Sequence, residues 1–207
     1  MNEIAAIVLA AGESVRMGYP KALLPFRAGT FLSEILDALA AVPLEAPRVV
    51  VGGHAAAIES AFAERTVRWL FNAEFPLGQL SSIQCALRDL GPEVTAALLW
   101  PVDQPAVSAP LVRELVLRQR ETGAPLVLPV CGGRRGHPAV VDRSLFEELL
   151  GVPPERGAKE VILLHESRIA VVPTGEPGTV DDVDTPEDYL HLTGESVDAA
   201  LRRTGAR

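Results

Sequence analysis

The chain has 207 residues, 48% of them hydrophobic and 22% charged, with a formal net charge of −8. That length suits one α/β domain with a substantial core. The acidity argues against a nucleic-acid partner, which is gripped by clustered Lys and Arg, but not against a small anionic substrate held by a few cations in a cleft. No apolar run reaches the roughly 18 residues of a membrane helix, and Glu3 and Gly12 interrupt the apolar start, so residence in the cytoplasm is expected.

Residues 3–9 form a short apolar run that predicts a buried first strand. Further strands are expected at 48–52, 67–71, 95–100, 125–129 and 169–172, where β-branched and aromatic residues cluster. Between them, residues 31–39, 55–62, 80–90 and 111–117 repeat apolar positions at helical spacing, with Thr30 and Ser108 as N-caps. Strand–helix alternation predicts a single α/β domain with a mostly parallel sheet covered by helices on both faces. Residues 130–141 break the pattern and predict a small antiparallel insertion. The domain is expected to span residues 1–193, with 194–207 as a polar helix or frayed tail.

Directly after the first strand stands Leu9-Ala10-Ala11-Gly12-Glu13-Ser14-Val15-Arg16-Met17-Gly18-Tyr19-Pro20-Lys21. The carboxyl end of a strand is where an open α/β sheet places its ligand loop. Small residues at 10–12 let backbone N–H groups approach a phosphate, and Arg16 and Lys21 add two cations on that surface loop. The spacing fits neither G-x-x-x-x-G-K-[ST] nor G-x-G-x-x-G. Asp103, in Trp100-Pro-Val-Asp-Gln-Pro105, ends the expected fourth strand at the same edge, where a carboxylate could hold Mg²⁺ or merely start a turn. In Asp181-Asp-Val-Asp184-Thr-Pro-Glu-Asp188, a helix starts at Thr185-Pro186; Asp182 or Thr185 suits the cap, and Asp184 either caps or binds metal.

Three weaker signals complete the set. Gly52-Gly53-His54 follows the second strand, and Asn72 follows the third. Gly78-Gln-Leu-Ser81-Ser82 opens a helix, where the serines could cap or touch ligand. Arg134-Arg135-Gly136-His137-Pro138 carries two arginines that could be solvated surface charge or an anion site, and Lys159 opens another helix. Cys85 and Cys131 have no metal-ligand spacing; Cys85 is expected as a small buried hydrophobe on its helix.

The segment from Leu9 to Lys21 resembles the L-A-A-G-x-S-x-R-M-G-x-x-K signature of the MobA-like NTP transferases. Asp103 resembles that family's D-x-P segment, Asp184 its D-[IV]-D-T-P-x-D segment, and Gly136-His137-Pro138 the second-substrate loop of molybdenum cofactor cytidylyltransferases. The resemblance implies a three-layer, Rossmann-like fold of the nucleotide-diphospho-sugar transferase type. It implies transfer of CMP from CTP to the phosphate of the molybdopterin molybdenum cofactor, with pyrophosphate released. In that picture Arg16, Lys21 and Asp103 are catalytic, and Mg²⁺ sits on Asp103 and Asp184. Leu9, Ala10, Ala11, Gly12, Gly53, Asn72, Gly78 and Ser82 bind the nucleotide, and Arg134, Arg135, Gly136, His137, Pro138 and Lys159 face the second substrate. Lys159 stands where the family often has Arg, which removes bidentate phosphate binding. Leu-Ala-Ala-Gly is associated with cytidine and Leu-Ala-Gly-Gly with guanine. Transient contact with a molybdenum hydroxylase apoenzyme is a further expectation. The alternatives are a guanylyl- or other NTP transferase acting on a different phosphorylated acceptor such as a sugar phosphate, and a non-catalytic chaperone for the cofactor.

Overall fold

Strand β1 (Glu3–Ala10) is buried along almost its whole length. Its side chains alternate between two separate cores: Ile4, Ala6, Val8 and Ala10 enter one, Ile7 and Leu9 the other. A strand apolar at every position must be covered on both faces, and that requirement sets the three layers. The computed structural model describes residues 3–205.

A two-stranded hairpin, β2 (Pro25–Phe26) and β3 (Gly29–Thr30), precedes α1 (Phe31–Ala40). Then follow β4 (Arg48–Val51), α2 (Ala55–Ala61), β5 (Arg68–Phe71), α3 (Gln79–Arg88), β6 (Val94–Pro101) and α4 (Ala109–Thr122). The second half runs β7 (Leu126–Cys131), β8 (Arg134–Arg135), β9 (Ala139–Asp142), α5 (Phe146–Gly151), α6 (Lys159–Leu164), β10 (Ile169–Pro173), α7 (Pro186–Thr193) and α8 (Val197–Thr204).

The main sheet has eight strands in the order β10-β7-β9-β6-β1-β4-β5, with β8 paired to β7. Strands β6, β1, β4 and β5 run parallel, as do β7 and β10, whereas β9 lies antiparallel between β6 and β7. The fold is therefore a mostly parallel α/β sheet with an antiparallel insertion. Helices α1 and α4 pack on one face through Leu32, Ile35, Leu115 and Val116; α3, α5 and α6 cover the other through Leu80, Ile83, Leu149 and Val161. A buried leucine such as Leu32 contributes about 1.5–3 kcal/mol by leaving water, and Leu32→Ala would cost about 2–5 kcal/mol once the cavity is counted.

Local signals explain most boundaries. Thr30 caps α1 with a reciprocal Ser33 capping box, and Ser108 caps α4 by accepting from Leu111 N–H. Helix α4 extends beyond the apolar spacing to Thr122, because its last turn faces solvent and Gly123 closes it in the left-handed conformation. The tail is helical: Ser196 caps α8, whose Ala200 is fully buried. No helix of the described residues is long and apolar enough to cross a membrane.

The reversed strand decides where the site lies. Because β9 is antiparallel to β6, the loop entering β9 lies at the edge where β1 and β6 end. One edge thus receives the loop after β1, Asp103 after β6, and Gly136-His137-Pro138 before β9.

Candidate active site

The loop after β1 folds back on itself around Ser14. Ser14 adopts φ of 53°, and its carbonyl accepts from the N–H groups of Met17 and Gly18, both at 3.0 Å. Its hydroxyl accepts from Lys21 N–H at 3.1 Å. Met17 is buried in the core beneath, so the loop is anchored at its middle while Val15 and Arg16 stay exposed. A Cβ built on Gly12 would meet nothing within 4 Å, so the missing side chain leaves room for a ligand rather than for protein packing.

This fold-back carries Lys21 inward. Its side chain is only 12% exposed, against 69% for Arg16, so Lys21 is not the free surface cation expected of the loop. Lys21 Nζ lies 3.2 Å from Asp103 Oδ2 and 2.5 Å from Asp184 Oδ1, and Arg16 pairs with Asp184 at 2.9 Å. The two carboxylates, 81 positions apart in sequence (184 − 103), therefore meet on one ammonium. Asp184 is free for this because Thr185, not Asp184, caps α7, in a capping box with Asp188. The alternative that Asp184 serves as the cap is thereby removed.

The charges are unequal. Burial pushes the Asp103 carboxyl above the usual carboxylate range; Lys21 opposes this, while Asp182 and Asp184 add repulsion. The hydrogen bond from Lys21 holds Asp184 below that range, with Arg16 assisting. A pair of carboxylates already gathered on one cation is a donor set suited to a hard divalent ion, which takes one or two protein carboxylates and completes its shell with water and phosphate oxygens. No group of three or more His, Cys, Asp or Glu side chains placed to hold a metal ion occurs among the described residues.

Above the pair opens a cavity of about 350 Å³. Leu9, Ala10, Ala11, Gly12, Gly78 and Ser82 line it together with Arg16, Lys21, Asp103 and Asp184. Gly53 and Asn72 do not. Gly53 N–H donates to Ala11 O at 3.2 Å and so braces the residue 9–21 loop. Asn72 is buried, and its amide donates to the hydroxyls of Ser81 and Ser82, fixing the start of α3 rather than facing the cavity. Sequence reasoning passed over Phe75, whose ring closes on Gly52 and reaches the cavity wall. An aromatic residue before Pro76 at a helix entrance was the available signal.

The residues expected to face a second substrate are dispersed. Arg134 bonds Val180 O and pairs with Asp181, and it lines a neighbouring cavity of about 850 Å³ that shares Arg16 and Asp184 with the first. Glu176, Asp181, Asp182 and Asp188 also line that cavity, so its walls are mainly acidic. Arg135 turns away to a bidentate pair with Glu166. Gly136 is required by contact: a Cβ there would lie 1.9 Å from Thr179 O. Pro138 is buried, and His137, whose pKa burial holds below the usual imidazole value, borders a small apolar cavity of about 100 Å³. Lys159 is exposed and lines none of these three cavities, so the structure does not bring it to the site. Cys85 is half-buried rather than buried, with its thiol toward Phe71 O at 3.8 Å.

A phosphate-type loop, a lysine shared by two carboxylates and a parallel-sheet edge together agree with what the chain matches. Residues 6–169 match the MobA-like NTP transferase domain. The chain belongs to that family. As a MobA-like NTP transferase domain, it is similar to the molybdenum cofactor cytidylyltransferase of Escherichia coli K12, 26% identical over 192 residues, covering 92% of this chain and 95% of that protein. It is equally similar to the nicotine blue oxidoreductase of Paenarthrobacter nicotinovorans, 27% identical over 203 residues, covering 91% and 96%. Among solved structures, Rv0371c of Mycobacterium tuberculosis H37Rv superimposes with a TM-score of 0.79 at 29% identity, covering 94% of this chain and 98% of that one. A structure of Rv0371c in complex with manganese gives a TM-score of 0.78 at 26% identity, covering 94% and 100%. Asp184 lies beyond the matched family span, so its place in the site rests on the geometry alone.

Proposed function

We propose that this protein transfers CMP from CTP to the terminal phosphate of the molybdopterin molybdenum cofactor and releases pyrophosphate. The observation that carries the reading is the Lys21 ammonium shared by Asp103 and Asp184 on the floor of a cavity walled by the residue 9–21 loop. Similarity across 92% of the chain to a molybdenum cofactor cytidylyltransferase, and the manganese complex of Rv0371c, support the acceptor class and the metal.

Asp103 and Asp184 would hold Mg²⁺, which supplies charge neutralisation at the reacting phosphates. The backbone of Ala11 and Gly12 cradles the triphosphate. Arg16, exposed and able to reach outward, binds the β- and γ-phosphates. An acceptor phosphate oxygen attacks Pα; the Pα–O bond to the β-phosphate breaks, and its electron pair leaves with pyrophosphate. The protein contributes positioning and electrostatics, with no covalent intermediate. Lys21, which lines the cavity beside both carboxylates, would stabilise the departing pyrophosphate.

Ala11, which lines the cavity, supports CTP over a purine nucleotide, a discrimination of about 1–3 kcal/mol if its methyl meets the base. In the adjoining, largely acidic cavity, Arg134 and Arg16 are the cations that an anionic acceptor would have to engage, with Arg134 leaving Asp181 to do so. Consumption of a free nucleotide triphosphate, as proposed, supports residence in the cytoplasm. Contact with a molybdenum hydroxylase has no observation behind it and is not part of this reading.

The test is pyrophosphate release from CTP, GTP, ATP and UTP, with and without the molybdopterin cofactor and Mg²⁺. Release from CTP that requires both is expected. Equal use of GTP overturns the nucleotide assignment, and turnover with a sugar phosphate overturns the acceptor. Tight cofactor binding without turnover favours a chaperone. Oxidoreductase turnover with no pyrophosphate release would overturn the transferase reading, in line with the oxidoreductase relative.

A further inference from the structure

The two metal-holding carboxylates come from distant segments, and what holds those segments together has no assigned role. Gln104 follows Asp103 directly and is 3% exposed. Its backbone is fixed twice: the fully buried Trp100 donates from Nε1 to Gln104 O at 2.9 Å, and Gln104 N–H donates to Pro101 O at 3.2 Å. Its side-chain amide then reaches across to Asp182, donating from Nε2 to Oδ1 at 2.6 Å. One residue further on, Val183 N–H donates to Asp103 O at 2.9 Å. Asp184 comes next.

Two tethers therefore join residues 103–104 to residues 182–183, one through backbone and one through side chains. A single backbone bond is a hinge about which Asp184 could swing; the second tether removes that freedom. The amide is an unfavourable way to fill a buried position, because Gln104 Oε1 has no hydrogen-bond partner among the described residues. A Leu or Met of similar volume would pack there without leaving an orphaned acceptor. Packing therefore does not account for this residue, whereas its bond to Asp182 does.

We propose that Gln104 is a positioning residue: through Asp182 it locks the second carboxylate loop onto the first and so sets the Asp103–Asp184 site for its cation. The proposal rests on the metal-dependent transferase reading. Groups that orient metal ligands from behind are worth about 10- to 100-fold in metal affinity or activity.

The experiment uses the full chain and measures Mn²⁺ affinity by electron paramagnetic resonance in the presence of CTP, with melting temperature and the kcat and KM for CTP alongside. Gln104→Leu, which removes the orphaned oxygen, and Asp182→Ala, at an exposed position, are expected to melt at or near the wild-type temperature. Each should weaken Mn²⁺ binding and lower kcat by about tenfold or more, with the KM for CTP within about twofold. Gln104→Glu should be worse, since it sets two carboxylates against each other. The double variant Gln104→Glu with Asp182→Asn reverses donor and acceptor and should recover most of the lost affinity. Wild-type Mn²⁺ affinity in Gln104→Leu overturns the proposal while leaving the transferase reading intact. A wild-type protein that binds no Mn²⁺ with CTP overturns the metal reading, and this proposal with it. If Gln104→Glu does not fold, Gln104→Leu and Asp182→Ala still decide.

Discussion

Two groups of cations sit at one sheet edge, and the structure treats them differently. Around Lys21, the side chains converge: three segments remote in sequence share one ammonium, half-buried and braced from behind. Around Arg134 and Arg135, they diverge, each to a separate acidic partner on an exposed face, with Lys159 apart from both. The first group shares its partners and the second does not, an arrangement that in the proposed reading would give a fixed nucleotide centre beside an acceptor surface whose arginines exchange partners to bind.

Breaking the converged group should have the largest effect. Asp103→Asn and Asp184→Asn are each expected to lower kcat by roughly 10²–10³-fold, measured as pyrophosphate release. Lys21→Met should abolish turnover comparably and lower the melting temperature, because it leaves Asp103 without its cation and Asp184 with Arg16 alone. Mg²⁺ with CTP should then raise the melting temperature of Lys21→Met by more than that of wild type. An equal rise would show that the carboxylates do not depend on Lys21 for neutralisation.

Gly136→Ala probes the frame between the two groups. Its Cβ would collide with Thr179 O at 1.9 Å, so a loss of about 1–3 kcal/mol in stability is expected by denaturant titration. Arg134→Ala and Arg135→Ala sharpen the contrast further. Both should raise the KM for the acceptor about tenfold, the effect of removing one charge-assisted hydrogen bond to a phosphate. The melting temperature should stay where it was, since exposed ion pairs contribute little. An unchanged acceptor KM in both would mark these arginines as surface charge only.

The smallest expected effect concerns His137. Burial lowers its pKa in the folded protein below 6.5, so over the window just beneath that value the unfolded chain binds a proton that the folded one refuses. Stability through this residue is thus full above the unfolded pKa and declines as pH falls toward the folded one. His137→Gln should flatten the fall in melting temperature between pH 7 and pH 5. A profile parallel to wild type would show that His137 is not shielded.

Most of this edge was legible from local chemistry. The apolar run before Leu9 and the Pro-Val-Asp ending of β6 placed two site segments at strand ends, and strand ends point one way in a parallel sheet. What could not be read was partnership. Nothing in the spacing of Asn72 shows that its amide turns to Ser81 and Ser82 instead of to the cavity, and nothing near Lys159 shows that its exposed side chain lines none of the three cavities. The insertion after Val130 was visible as a break in pattern. That β9 threads between β6 and β7 depends on non-local pairing, which no short window of residues encodes.

Tyr189 lies fully buried on α7, stacks on Phe31 and donates its hydroxyl to Pro25 O at 2.6 Å, just beyond the end of the phosphate loop. A chain leaving the ribosome has therefore made its nucleotide loop long before it has made Asp184 or this strut. Translation completes the site last, so a stalled or clipped chain ending near residue 169 carries the loop and Asp103 yet lacks the second carboxylate. Such a partial product lacks both the Asp184 carboxylate on Lys21 and the Tyr189 side chain in the core.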